Sequence, residues 1–120
     1  MGDRFRLMLI GQAAFGEAVL NALVEGGQDI AGVFAPPDKP GKPADPIKVA
    51  AEKHGLPVLQ FRRMRDAEAI GAAQGLNADL GVMAFVTDIV PEETLRAPRL
   101  GTIQYHPSLL PLHRGPSSIN

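Results

Sequence analysis

The sequence contains no cysteine, which excludes disulfide staples, thiol nucleophiles and cysteine metal ligands together and fits a reducing compartment. It has almost no net charge either. Twelve Lys and Arg against 13 Asp and Glu leave −1, so no global field draws the chain onto nucleic acid or an anionic membrane. The opening residues MGDRFRLMLIGQ carry charge ahead of a short apolar run that breaks at Gly11, and no apolar stretch of secretory length follows. This start reads as that of a cytoplasmic, cytosolic protein with no membrane partner. Neither an internal repeat nor a low-complexity tract occurs. At 120 residues the chain is long enough for one domain and short for two. What remains is an ordinary globular composition, 45% hydrophobic and 21% charged, which should bury a core.

Phe5 to Ile10 is a short, mostly apolar run closed by Gly11, the pattern of a parallel strand covered on both faces. From Phe15, apolar residues recur at spacings of three and four through Ala18, Val19, Ala22 and Leu23, predicting an amphipathic helix that stops at Gly26-Gly27. Asp29 to Ala35 predicts a second strand and completes a right-handed βαβ unit. Pro36 to Pro46 is so rich in Pro and Gly that it reads as a surface loop, of a length suited to binding. The alternation continues with a helix at Ile47 to Lys53, closed at His54-Gly55, and a strand at Pro57 to Gln60. Asp66 to Leu76 reads as helix and Asp79 to Ala84 as strand. Pro91 to Arg96 reads as a short helix with Pro at its first position, and Gly101 to Tyr105 as strand. Strands alternating with helices predict an α/β fold on an open, mainly parallel sheet. Ser117 to Asn120, after Pro116, read as the first turn of a helix too short to stand alone. Residues 1–120 are therefore expected to be the amino-terminal part of a single, longer domain.

Gly11-Gln12-Ala13-Ala14-Phe15-Gly16 follows a strand and opens a helix, as a dinucleotide fingerprint does, but Ala13 replaces the glycine that lets a pyrophosphate approach the backbone. An acid to hold a ribose is missing too, because Asp29 precedes the second strand and Asp38 sits in the loop. The segment reads as a tight strand-to-helix turn, and no nucleotide is expected. Gln104 and His106 are two apart on the last strand, so amide and imidazole project to one face and Tyr105 to the other. Pro107 biases His106 toward extended backbone, placing it at the carboxyl end of the strand, where open α/β sheets bind ligands. By pattern alone His106 reads either as catalytic or as a hydrogen-bonded core group. Arg62, Arg63 and Arg65 read either as a solvated surface or as a contact for phosphate or polyglutamate. His54 and His113 read as structural, and no metal site is expected.

The final stretch, GTIQYHPSLLPLHRGPSSIN, resembles the formyltransferase domain shared by 10-formyltetrahydrofolate hydrolases and dehydrogenases, methionyl-tRNA formyltransferases and glycinamide ribonucleotide formyltransferases. The likeness extends to LIGQ near the start, VFAPPDKPGKPADP, AEKHGLPV and the PE..L..P segment, and is strongest to the hydrolase domain of the dehydrogenase. The resemblance implies a Rossmann-like formyltransferase fold, sheet order 3-2-1-4-5, and 10-formyltetrahydrofolate as formyl donor. Formyl transfer passes through a tetrahedral centre bearing an oxyanion and expels a nitrogen, so it needs donors aimed at oxygen and a proton carrier. In the family a His moves protons, an Asn two residues earlier donates to the oxyanion, and a later Asp orients the His. His106 matches the first role, and Gln104, one methylene longer than Asn, stands at the second. No residue matches the third, so the 120 residues by themselves are expected to be inactive. Asp88, the acid in the loop after the fourth strand, reads either as a substitute for that later Asp or, as is usual, as a solvated loop acid.

For the folate, the resemblance implies contact with Ala84, Phe85, Val86, Thr87, Asp88 and Ile89, and with Ser108, Leu109, Leu110 and Pro111. Apolar positions among them read equally as core. It also implies a cis Leu110-Pro111 bond, and Arg114 and Gly115 match the family's RG pair. The Pro36 to Pro46 loop is shorter than that of tRNA-formylating relatives and carries only Lys39 and Lys42, which disfavours tRNA as partner. Three other readings stay open: another amine as acceptor in place of water, a non-catalytic folate-binding fragment, and a nucleotide-binding Rossmann module, which Ala13 weakens.

Overall fold

Leu7, Met8, Leu9 and Ile10 are each at most 5% exposed, so this strand has neighbours on both edges and cover on both faces. The computed structural model describes residues 5–105. In chain order these form β1 (Arg6–Gly11), α1 (Ala13–Glu25), β2 (Asp29–Ala35), α2 (Pro46–Lys53), β3 (Val58–Gln60), α3 (Ala67–Gly75), β4 (Leu80–Ala84), α4 (Glu92–Leu95) and β5 (Thr102–Tyr105). The sheet is parallel throughout, in the order β3-β2-β1-β4-β5 expected from the resemblance.

Alternation along the strands makes two cores. Leu7, Leu9, Val33, Ala35, Val82 and Ala84 face α1 and α2 and pack with Leu20, Ile47, Ala50 and Ala51. Met8, Ile10 and Phe34 face the opposite way, against Met64, Ala73 and Ala78. Burial of a side chain such as Leu20 or Ile47 contributes about 1.5–3 kcal/mol, so these contacts, more than helix propensity, hold the short helices. Near the carboxyl end of β1 the packing leaves no room for a side chain. A Cβ on Gly11 would stand 2.9 Å from the Ala84 carbonyl oxygen and one on Gly16 3.1 Å from Ile47 Cδ1, so both glycines permit the close approach of α1, α2 and the sheet. At the other end of β1, Arg6 N–H donates to Asp79 Oδ2 at 2.8 Å, and that bond, with Arg99, holds the Asp79 carboxyl below its ordinary pKa.

Every element but β2 differs from the sequence reading by one or two residues at an end, with α1, α2 and α4 the most informative. Helix α1 starts at Ala13, before its apolar periodicity begins at Phe15. Helix α2 takes in Pro46, because Asp45 caps it and proline suits the first helical position. Pro91, expected at the first position of α4, instead precedes it as N-cap, with ψ 159° and a carbonyl that accepts from Thr94 and Leu95 N–H.

Candidate functional site

The strand order reverses at β1, so the crevice outside the carboxyl ends of β1 and β4, paired at Gly11 and Ala84, is where such a sheet is built to hold a ligand. The turn after β1 is set by one carboxylate. Asp45 Oδ1 accepts from Ala13 N–H at 2.7 Å and from Ile47 N–H at 2.9 Å, so a single oxygen stands at the first turns of both α1 and α2. Ala13 adopts φ 65°, left-handed backbone that an L-residue occupies at a cost. In dinucleotide-binding folds a phosphate sits against such a turn; here the chain's own anion fills that place.

The loop from Ala84 to Ile89 leaves β4 on the other side of the crevice. Ala84 is buried, Phe85 is 40% exposed at φ 59°, and Ile89 is 66% exposed. Gln12 Oε1 accepts from both Thr87 N–H and Thr87 Oγ1–H, each at 3.2 Å. Asp88 Oδ2 accepts from Met64 N–H at 2.7 Å and Oδ1 from Ile89 N–H at 2.8 Å, so both oxygens of this loop acid are engaged by backbone.

Between these loops lies a cavity of about 420 Å³. Ile10, Phe34, Ala35, Phe61, Met64 and Val86 supply apolar lining, and Gln12, Thr87 and Asp88 supply polar groups. The Pro-rich segment from Pro36 to Asp45 forms a strap along one side. Gln60 Nε2 donates to the Pro36 carbonyl at 2.9 Å and to Asp38 Oδ1 at 3.0 Å, and Lys48 Nζ donates to Asp38 Oδ2 at 2.7 Å. The Lys48 bond, helped by Gln60, holds the Asp38 carboxyl below its ordinary pKa, and Asp38 in turn raises that of Lys48.

Gln104 lies on β5, exposed, in register with Met83, whose neighbours are on the α3 side of the sheet. Tyr105 lies on the opposite side and stacks on Phe15 of α1 at 5.4 Å, as strand alternation requires. The cavity lining takes in Val86, Thr87 and Asp88; among the described residues it does not reach Gln104. His106, Ser108, Leu109, Leu110, Pro111, His113, Arg114 and the Leu110-Pro111 bond lie outside the described residues. Arg62, Arg63 and Arg65 are exposed around a shallow depression with Asp66. His54 sits just after α2, with Nε2 hydrogen-bonded to Asn21 Oδ1 at 2.9 Å.

Asp45 and Gln12 escaped the sequence reading. For Asp45 a signal existed, since Asp-Pro before an apolar helical face marks an N-cap with proline at the first position. For Gln12 none did, because its partner is 75 residues away.

The profile of the family described as Formyl transferase matches residues 4–120. The chain belongs to the formyl transferase family. Within it, this formyl transferase chain is 46% identical over 120 residues to the cytosolic 10-formyltetrahydrofolate dehydrogenase of Mus musculus, a match covering 96% of this chain and 13% of that protein. It is 40% identical over 119 residues to the methionyl-tRNA formyltransferase of Chloroflexus aggregans, covering 95% of this chain and 38% of that protein. The chain thus spans a minor share of the length of these relatives. Among solved structures it is similar to glycinamide ribonucleotide transformylase 1 from Symbiobacterium toebii, with TM-score 0.66 and 21% identity, over 96% of this chain and 57% of that one. That likeness supports the α/β formyltransferase fold. Among the described residues, no helix is long and apolar enough to cross a membrane.

Proposed function

We propose that this chain is the amino-terminal part of a catalytic domain that takes the formyl group from 10-formyltetrahydrofolate and passes it to water. The observation that carries the reading is the 46% identity to a 10-formyltetrahydrofolate dehydrogenase over 96% of the chain, with the HPSLLP..RG string intact. His106, next in sequence after the last residue of β5, takes a proton from the attacking water and delivers one to N10 as the carbon–nitrogen bond breaks. Gln104 donates its amide to the oxyanion in place of the family's Asn. The folate contacts the loop Ala84 to Ile89 and the segment Ser108 to Pro111. No metal or nucleotide enters the reaction. The 120 residues alone lack a match for the family's orienting Asp and are inactive by this reading. A cytosolic location belongs to the reading and rests on the sequence, since mouse relatives named cytosolic and mitochondrial match at 46% alike.

A second reading, methionyl-tRNA as acceptor, is supported by the 40% identity to a methionyl-tRNA formyltransferase and disfavoured by the short strap with Lys39 and Lys42. One assay on the intact protein separates the two: release of free formate against formylation of methionyl-tRNA, both from 10-formyltetrahydrofolate. In that protein His106→Ala should lower turnover by roughly 10²–10⁴-fold while folate still binds. Gln104→Asn should keep activity and Gln104→Leu lower it. Unchanged turnover in His106→Ala would remove the catalytic assignment.

A further inference from the structure

We propose that Gln12 is a positioning residue for the folate substrate, holding the loop after β4 in its binding shape through Thr87. The inference rests on the reading that the Ala84 to Ile89 loop serves 10-formyltetrahydrofolate. Gln12 Oε1 takes two donors from one residue, the Thr87 backbone N–H and its hydroxyl. Only the oxygen of an amide can accept from a backbone N–H, so this pairing fixes which way the Gln12 amide faces. Gln12 is itself a firm post. Its carbonyl accepts from Gly16 N–H at 3.0 Å in the first turn of α1, and the next residue, Ala13, is clamped by Asp45.

The loop, by contrast, does not hold its shape from local preference. It begins at Phe85 with φ 59°, and a non-glycine residue persists there only when surrounding contacts over-determine it. Two ties supply that constraint: Gln12 to Thr87, and Asp88 to Met64 N–H. Gln12, Thr87 and Asp88 all line the cavity, so both ties lie at the edge of the space a ligand would enter. Cutting the Gln12 tie lets Phe85 relax and lowers the population of the binding-competent loop. Apparent affinity falls by that fraction, while a substrate once bound meets the same reacting groups.

The test uses the intact protein with Gln12→Leu, Gln12→Glu and Thr87→Val. Gln12→Leu should raise KM for 10-formyltetrahydrofolate by about five- to tenfold, as expected for a lost hydrogen-bond tie, with kcat within about twofold. Gln12→Glu keeps an oxygen acceptor for both donors and should stay within about twofold of wild type. Thr87→Val keeps the backbone bond and loses the hydroxyl, so exchange over residues 85–89 of the free protein should accelerate by about two- to threefold, and unchanged exchange there overturns the proposal if Gln12→Leu does not fold. Hydrogen exchange of the free protein should accelerate over residues 85–89 in Gln12→Leu and not in Gln12→Glu. An unchanged KM in Gln12→Leu, a fall in kcat at constant KM, or an equal loss in Gln12→Glu would overturn the proposal. Should wild type leave 10-formyltetrahydrofolate untouched, the functional reading fails instead, and exchange over residues 85–89 still reports whether Gln12 holds the loop.

Discussion

Replacing Asp45 by alanine removes one oxygen from two helix starts at once, and its cost can be worked from the geometry. As N-cap of α2, the bond from Ile47 N–H contributes about 1 kcal/mol, within a range of about 0.5–2. The second bond, 2.7 Å from Ala13 N–H and part-buried, involves a charged acceptor and contributes about 1.5–3 kcal/mol. Losing both leaves two donors at helix starts without their partner, so Asp45→Ala should lose about 2–4 kcal/mol, a sizeable share of the roughly 5–15 kcal/mol of a typical domain. At roughly 3–5 °C per kcal/mol for a chain of this size, the midpoint should fall by about 10 °C. Asp45→Asn keeps one acceptor oxygen and should lose less than half as much. Asp45→Ser can still cap α2 but is too short to serve both donors, so it should fall between. Urea denaturation with matched m-values is the measurement. Asp45→Ala within about 0.5 kcal/mol of wild type, or Asp45→Asn as damaged as Asp45→Ala, would refute the reasoning.

Other outcomes follow from neighbouring features. Ala13→Gly should stabilise the protein by about 1 kcal/mol or less, because glycine accepts the φ of 65° without the strain alanine bears; a loss in the same urea assay would show that the strain is absent. Acid and base should each weaken the strap. Asp38 has a lowered pKa, so its share of stability is present above the ordinary aspartate value of about 4 and is lost as pH falls through its folded value. Lys48 has a raised pKa, so its share is complete below about 10.4 and is lost as pH rises through its folded value. The stability gap between wild type and Lys48→Met should therefore be widest between those limits and close on both sides in melting curves taken across pH. A gap constant from pH 2.5 to 11 would count against it.

The fold was legible where local pattern and tertiary need agree. The run around Ile30, Val33 and Phe34, bounded by Gly-Gly before and Pro-Pro after, leads to β2 at the bounds observed, Asp29–Ala35. Where two local rules compete, the boundary slipped. Pro91 satisfies the first helical position and equally the extended residue before it, and only the carbonyl bonds from Thr94 and Leu95 decide between them. The site was less legible, for a physical reason. Gln12, Thr87 and Asp88, and Asp45 in its bond to Ala13, matter through hydrogen bonds to residues distant in sequence, and no period or spacing encodes such a pairing. The positive φ of Ala13 and Phe85 is hidden for the same reason, since neither residue type favours it.

The strap has a consequence for how such a chain can diversify. It hangs between two fixed posts, Asp38 held by Gln60 and Lys48 and Asp45 held by α1 and α2, and the stretch from Lys39 to Pro43 between them is exposed. Within it, Lys42 N–H returns to the Lys39 carbonyl at 3.1 Å and Gly41 takes φ 72°, a small self-contained turn. Residues added there lengthen a closed loop whose ends do not move, and doubling such a loop costs only about 0.6 kcal/mol. Charge, length and shape at the rim of the cavity can therefore be exchanged as a cassette while the cores on both faces of the sheet stay as they are.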